Sequence, residues 1–152
     1  MILELVLALT LEQAASLYAV AYGQYGSQIG GFKLPERPPV IKEVPQSELQ
    51  QMYGCKCNIR GAQIMDKIYL DESLDYGQAY GASVLIHEYV HYFQFVRHGP
   101  TVDCRDYVSR EHQAYGIQIR MMQRTGLDSR GAQMSASQLR CAPEQPVPGI
   151  GV

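Results

Sequence analysis

The sequence lacks the features of a membrane span and of a surface for binding polyanions. No stretch reaches the roughly 18 to 20 consecutive apolar residues of a transmembrane helix, and the longest candidate, Ile2–Leu9, is broken by Glu4. The thirteen lysines and arginines are scattered along the chain, and the formal net charge is −2. We therefore expect no nucleic-acid partner, no transmembrane segment and no basic membrane-binding patch.

The apolar start also lacks the positive charge that precedes the hydrophobic region of a secretory signal peptide. No Lys or Arg occurs before Lys33, and Glu4 lies where a basic residue would be expected. We therefore expect a helix from Thr10 onward rather than a cleaved leader.

Charged residues are scarce, at 18% of the chain, against the roughly 25% that is usual in globular proteins. With 46% hydrophobic residues, this composition excludes a disordered, collagen-like or coiled-coil chain. A length of 152 residues predicts a single domain whose core needs neither disulfides nor metal to fold. We expect this domain to have its core at about 10–141 and an extended or disordered, proline-rich tail over 142–152.

The cysteines form an even set of four: Cys55, Cys57, Cys104 and Cys141. The Cys55-x-Cys57 spacing differs from the Cys-x-x-Cys of zinc ribbons and thioredoxin-like sites, so a structural zinc or redox centre is not favoured. We predict a disulfide between Cys104 and Cys141, with Cys55 and Cys57 paired to each other or free. Disulfides would favour a periplasmic or secreted protein, whereas four buried thiols would suit the cytoplasm.

Capping signals and hydrophobic periodicity predict an α+β fold in which three helices pack on a sheet of two to four strands. Thr10-Leu-Glu-Gln13 has the form of a capping box and opens an amphipathic first helix, and Ser47-Glu-Leu-Gln50 is a second such candidate. Gly61 suggests a bulge or a close backbone approach within a strand. Three β-leaning runs predict the strands: Val40–Val44, Cys57–Met65 and Lys67–Asp71.

Two long helices are predicted side by side in the second half of the chain. The first runs from Asp75 to His98, with Asp75 and Gln78 as a cap pair, and stops at Gly99. The second runs from about residue 104 to residue 125 and is capped by Asp103. After it, we expect only a short helical turn around Ser137–Arg140.

His87-Glu88-Tyr89-Val90-His91 lies within the first of these helices. Histidines four residues apart lie on one helix face about 6 Å apart along the axis, so both imidazoles reach one zinc ion. Glu88, rotated by about 100° from His87, flanks the open position of such an ion and is expected to act as general base. The alternative is a pair of core histidines without metal.

A hydrolytic zinc site needs a third protein ligand, for which Glu111 is the preferred candidate. It lies in the middle of the second long helix. The helical segments from His91 to Gly99 and from Asp103 to Glu111 are each about 12 Å long, so two antiparallel helices bring His91 and Glu111 level. The small side chain of Ala114, one turn along, lets the two helices approach closely.

Two other third ligands stay open at this point. Asp103 and Asp106, at or near the start of the second long helix, would give an aspartate ligand as in the aspzincin pattern. A metzincin ligand is not expected, because Gln94 and Arg97 occupy the required positions and His98 is out of register by one.

The segment from His87 to His91, followed by Arg110-Glu111-His-Gln-Ala114-Tyr115, resembles the gluzincin branch of zincin metallopeptidases and, more closely, small bacterial zincin-like domains. The resemblance covers roughly residues 55–125. It implies zinc held by His87, His91 and Glu111, with Glu88 as general base for a metal-activated water that cleaves a peptide bond. It also implies a strand that aligns a peptide or protein substrate, here Ile59–Met65 or Lys67–Asp71.

Several other residues are candidates for the groups that would support this chemistry. Large gluzincins stabilise the oxyanion with a His or Tyr from a separate subdomain, for which the substitutes here are Tyr115, His112, Tyr76 and Tyr80. A carboxylate from Asp103 or Asp106 is expected to fix the imidazole tautomers.

The sequence therefore favours a small zinc-dependent peptidase or amidase. The first alternative is an inactive or weakly active zincin scaffold that serves as a binding or adaptor protein. The second alternative is a structural protein that holds no metal.

Overall fold

The computed structural model describes residues 9–141 and contains, within them, five helices and a three-stranded sheet. In chain order the elements are α1 Leu11–Ile29, β1 Val40–Val44, α2 Gln46–Tyr53, β2 Gly61–Ile64, β3 Lys67–Asp71, α3 Ala79–His98, α4 Cys104–Arg124 and α5 Arg130–Ser137. This confirms the predicted α+β class. The expectations for the apolar start and for the proline-rich tail concern residues outside the described range.

The sheet has the strand order β1-β3-β2, with β1 parallel and β2 antiparallel to β3. β3 is therefore the central strand, and β2 lies at an edge, where one side of its backbone has no neighbouring strand within the described residues. Of the two strands expected to align a substrate, Lys67–Asp71 is excluded because both of its edges are already paired. The edge strand Gly61–Ile64 keeps the required geometry.

Helix α3 lies at the centre of the fold, where α1, α4, β2 and β3 all pack against it. Every residue from Gly81 to Val90 is buried as a result. Near the C-terminal end of α3, Phe93 joins an aromatic cluster in which its ring centroid lies 5.2–6.1 Å from four others, those of Tyr18, Tyr22, Tyr25 and Phe32. This packing places the His87–His91 motif in the interior. Among the described residues, no helix is both long and apolar enough to cross a bilayer.

Two predicted helix starts are confirmed by their hydrogen bonds. The Gln13 N–H donates to Thr10 Oγ1 and the Thr10 N–H donates to Gln13 Oε1, both at 3.0 Å, which completes the capping box of α1. Asp103 caps α4 by accepting the Asp106 N–H at 2.8 Å.

Two other predicted starts are wrong. Helix α3 begins at Ala79 because Asp75 lies in a turn, where its carboxylate accepts the Gly77 N–H at 2.8 Å. Helix α2 begins at Gln46 after Pro45 and has no side-chain cap, so Ser47 lies within the helix instead of capping it.

The last two predicted segments also differ from the structure. The strand predicted at Cys57–Met65 is shorter in the structure and covers Gly61–Ile64. The backbone N–H and C=O of Ile59 are hydrogen-bonded to the Gln46 side chain and so do not pair with a strand. The turn predicted at Ser137–Arg140 is replaced by α5, which starts earlier because Asp128 accepts the Arg130 N–H at 3.0 Å.

Two disulfides are present, and together they use all four cysteines. Cys104 pairs with Cys141, as predicted, and joins the start of α4 to the segment after α5. Cys55 pairs with Cys57 in the loop that follows α2.

Asp71, at the end of β3, is 2% exposed and joins three segments of the chain. Its carboxylate accepts hydrogen bonds from Gln46 Nε2 at 2.9 Å, from Arg60 Nη1 at 3.0 Å, and from the Ser73 N–H at 2.9 Å and Oγ at 2.8 Å. Burial alone raises the pKa of Asp71, but the hydrogen bonds from Ser73, Arg60 and Gln46 outweigh it and hold the pKa below its ordinary value.

We predict that Asp71→Ala lowers the free energy of unfolding by about 2–3 kcal/mol at pH 7, because it leaves charged and polar donors without their acceptor. The folded-state pKa is lowered, so this stabilisation is complete above the unfolded pKa near 4 and is lost as the pH falls through the folded pKa. Urea unfolding at pH 7 and pH 3 measures both effects. The exposed neighbour Glu72 provides the control Glu72→Ala, and equal losses in the two variants would contradict the prediction.

Candidate metal centre

Three side chains from two helices converge at the centre of the molecule. His87 and His91 come from α3 and Glu111 comes from α4, and one ligand atom from each lies within 4.8 Å of the others. The two Nε2 atoms are 3.1 Å apart. Glu111 Oε2 lies 3.2 Å from His87 Nε2, and Glu111 Oε1 lies 2.6 Å from His91 Nε2.

This arrangement fits a small divalent cation such as zinc. Zinc binds imidazole nitrogen and carboxylate oxygen at about 2.0–2.2 Å, so a tetrahedral ion holds its ligand atoms about 3.3 Å apart. The observed separations of 3.1 Å and 3.2 Å agree with this spacing, and that of 2.6 Å needs only a small shift of one carboxylate oxygen. Two histidines and one carboxylate also leave a fourth position open, as hydrolytic zinc sites require.

The loop between α3 and α4 brings the two helices to the same level. Gly99 ends α3 with a positive φ of 77°, which favours glycine. Arg110, one residue before Glu111, donates to the Gly99 carbonyl at 2.7 Å and to the Asp106 carboxylate at 2.9 Å. Arg110 thereby joins the end of α3 to the start of α4. This supports the antiparallel arrangement of the two helices that was predicted from their lengths.

The other candidate third ligands lie away from this centre. Asp103 caps α4, and Asp106 accepts from Arg110 and from the Val102 N–H. His98 is exposed at the last position of α3.

Two glutamines, not the aspartates expected, orient the imidazoles. His87 Nδ1 lies 2.9 Å from Gln118 Oε1, and His91 Nδ1 lies 2.8 Å from Gln94 Oε1. An acceptor at Nδ1 keeps the ring proton there and leaves Nε2 free to bind a metal. The prediction that Asp103 or Asp106 fills this role is therefore wrong.

Both glutamine amides are held in turn by other groups. Gln118 Nε2 donates to Ser83 Oγ at 3.3 Å. Gln94 Nε2 donates to the Arg110 carbonyl at 3.0 Å and to Gln113 Oε1 at 2.9 Å. The helical spacing of the sequence indicates part of this arrangement. Gln94 is three residues after His91, and Gln118 is seven residues after Glu111, so each lies on the same helix face as its neighbour in the cluster.

The surroundings of Glu111 and Glu88 shift the pKa values of the two carboxyls in opposite directions. Burial raises the pKa of Glu111, but the charges and hydrogen bonds of His91 and His87 outweigh it and hold that pKa well below its usual range. Burial lowers the pKa of His91, but the charge and hydrogen bond of Glu111 outweigh it and raise this pKa to about 9. Burial raises the pKa of Glu88, and the neighbouring histidines offset only part of this effect. Glu88 is therefore the carboxylate better suited to taking up a proton.

A cleft of about 830 Å³ opens beside these groups. One wall consists of Tyr53 and of residues 57–61, which form the end of a loop and the start of β2. The other wall is formed by α4, α5 and the turn between them. Four tyrosines line it: Tyr53, Tyr80, Tyr107 and Tyr115. Burial, and then the negative charges of Glu111 and Glu88, raises the pKa of Tyr115 to about 12, so its hydroxyl stays protonated at neutral pH.

The structure separates the four oxyanion candidates. Tyr115 lines the cleft, with its ring centroid 4.5 Å from that of His87, and Tyr80 lines it at 41% exposure. Tyr76 is buried and donates to the Asp71 carbonyl at 2.8 Å, so its hydroxyl is already in use. His112 is exposed outside the cleft, because position 112 is rotated by about 100° around α4 from Glu111.

Sequence reasoning did not identify Tyr53 and Tyr107. Burial raises the pKa of both hydroxyls, and the carboxylates of Glu88 and Glu111 raise it further, so both rings lie near the centre. Tyr53 ends α2, far from the motif in the chain, and only the tertiary fold brings it to the cleft.

Comparison with protein-family models, with curated proteins and with solved structures gives no match.

We predict that purified protein binds about one zinc ion per chain and that His91→Ala abolishes stoichiometric binding, because it removes one of three ligands. The matched control is His98→Ala, which changes an exposed histidine on the same helix. Elemental mass spectrometry after dialysis against zinc gives the metal content. Equal zinc in the two variants would contradict the ligand assignment.

We predict that Gln118→Ala weakens zinc binding about 10- to 100-fold without unfolding the protein, because it removes the acceptor that orients His87. Gln123→Ala, at an exposed position of α4, is the control. Competition with a fluorescent zinc chelator measures both affinities. If Gln118→Ala binds zinc as tightly as wild type, Gln118 does not orient the ligand.

Proposed function

We propose that the protein is a zinc-dependent hydrolase, a metallopeptidase that acts on peptide or protein substrates. The observation that supports this best is the position of Glu88, a buried residue that lines the same cleft as His87 and Glu111 of the candidate metal cluster. A metal-binding cluster alone suits a structural site. A cluster with an adjacent carboxylate of raised pKa, facing an open cleft, suits proton transfer.

In this proposal His87, His91 and Glu111 hold the zinc ion. Bound zinc lowers the pKa of water toward about 7 and polarises a carbonyl group as a Lewis acid. Gln118 and Gln94 keep the two imidazoles in the tautomer that presents Nε2 to the ion.

Glu88 acts as the proton carrier of the reaction. Its carboxylate takes a proton from the attacking water and later gives it to the leaving amine, so that one water is consumed and one acid and one amine are formed. Burial raises the pKa of Glu88, which favours the protonated form that this carboxylate takes up during the reaction. Tyr115, beside His87 on the cleft, is the best placed of the four oxyanion candidates for donating to the developing negative charge.

The edge strand β2 supplies a means of holding the substrate. Residues 58–61 line the cleft, and one edge of β2 has no neighbouring strand in the described part of the chain. An extended peptide can pair with such an edge and pass the carboxylate of Glu88. The two disulfides further suggest that the protein works in the periplasm or outside the cell.

We predict that Glu88→Gln lowers kcat/KM about 10²- to 10⁴-fold while zinc stays bound, because the amide keeps the side-chain shape but cannot carry the proton. Cleavage of an unstructured peptide library is followed by mass spectrometry, and zinc content is measured on the same samples.

Glu12→Gln, which changes an exposed carboxylate on α1, is the control for this experiment. Full activity in a folded Glu88→Gln variant would contradict the assignment of the base. A wild type that binds zinc but cleaves no peptide, while it retains a protein partner, would favour the alternative of a binding scaffold.

A further inference from the structure

Gly61, the first residue of β2, lies directly against the side chain of Glu88. A Cβ atom built at position 61 would lie 2.9 Å from Glu88 Cγ, 3.2 Å from Oε1 and 3.3 Å from Cδ. Carbon atoms in favourable contact are about 3.5–4.0 Å apart. Any side chain at position 61 would therefore force either the strand or Glu88 to move.

The backbone at position 61 cannot retreat easily, because the two preceding residues are held by hydrogen bonds and Gly61 is paired in the sheet. The Ile59 N–H donates to Gln46 Oε1 at 2.8 Å, and Gln46 Nε2 donates back to the Ile59 carbonyl at 2.6 Å. The Asp71 N–H donates to the Arg60 carbonyl at 2.9 Å, and the Arg60 side chain pairs with the Asp71 carboxylate at 3.0 Å. Gly61 itself pairs with Leu70 in the sheet.

The backbone of Glu88 is equally fixed. It lies in the middle of α3, within the stretch of ten consecutive buried residues from Gly81 to Val90. A clash at position 61 is therefore relieved by rotating the Glu88 side chain, which moves its carboxylate.

We propose that Gly61 is a positioning residue, whose missing side chain leaves the space in which the Glu88 carboxylate is held at the cleft. The proposal rests on the proposed function, because it assigns Gly61 a role in the reaction only if Glu88 is the base. It adds a requirement that the zinc-binding motif does not contain, namely glycine on a strand opposite the helix.

The first test is a double-mutant cycle on turnover. We expect Gly61→Ala to lower kcat about 10- to 100-fold with zinc content unchanged, because it displaces the carboxylate from its productive position. In a Glu88→Ala background, which removes the Cγ, Cδ and carboxylate oxygens that the new methyl group would meet, Gly61→Ala is expected to change the residual kcat by less than about twofold. Gly23→Ala, at an open position of α1, controls for a glycine replacement as such.

A methyl group that merely blocks the substrate would act equally in both backgrounds. Equal fold losses of kcat with Glu88 and with Glu88→Ala would therefore overturn the proposal. So would full activity of the Gly61→Ala single variant.

The second test measures urea unfolding of the metal-free protein and needs no substrate. We expect Gly61→Ala to lower the urea midpoint by about 1 M when Glu88 is present, because the added methyl overpacks the contact. In a Glu88→Ala background the midpoint is expected to stay within about 0.2 M. Equal shifts in both backgrounds would show that Gly61 and Glu88 are not coupled.

The two tests separate this inference from the proposed function. If wild type cleaves no peptide, the metallopeptidase assignment fails and Gly61 has no role in positioning a base, while the unfolding cycle still decides whether the contact exists. If Gly61→Ala does not fold, recovery of folding by Glu88→Ala supports the contact, and failure to fold in both backgrounds overturns it.

Discussion

The polar packing of α3 against α4 is the constraint on which the rest of the structure depends. Most helix pairs meet through apolar side chains, but here His87, His91 and Gln94 face Glu111 and Gln118 across a largely buried interface. Buried polar groups are costly unless each has its partner, so sliding one helix along the other by a residue would leave several of them unpaired. The network therefore fixes a single register of the two helices, and that register sets the spacing of the candidate ligands.

The opposite wall of the cleft is held by a separate set of contacts. Asp71 and Gln46 fix the backbone from Ile59 to Gly61 without any contribution from α4. Glu88 lies between the two systems, since it belongs to α3 and rests on β2. The candidate ligands thus depend on helix packing, whereas the position of the candidate base also depends on the sheet. A change in the strand wall can therefore move the Glu88 carboxylate without displacing the three candidate ligands.

Local and periodic signals in the sequence predicted much of the fold and of the candidate metal centre. The capping box at Thr10, the cap at Asp103 and the stop at Gly99 depend on neighbouring residues, and all three are confirmed. The predicted start of α3 was wrong because Asp75 forms a local turn before the helix. The carbonyl oxygen of Asp75 lies 2.2 Å from the position that a Cβ atom at Gly81 would occupy. Tyr53 and Gln118 carry no motif, because tertiary packing alone brings them to the candidate centre, whereas Gln94 lies one helical turn after His91.

The charge balance of the cleft gives a further physical reason to expect a cation. Glu88 and Glu111 are both largely buried, and buried carboxylates need compensating charge. Among the described residues that line the cleft, Arg60 alone carries a permanent positive charge, and its guanidinium is paired with Asp71. The compensation must therefore come from the two histidines or from a bound ion. Metal ligation requires both imidazoles to be neutral, which leaves a charge of about −2 on the two carboxylates. One divalent cation between the two carboxylates brings the net charge of the group to zero. Without a cation, a protonated His91 compensates Glu111, and Glu88 must be neutralised by binding a proton itself.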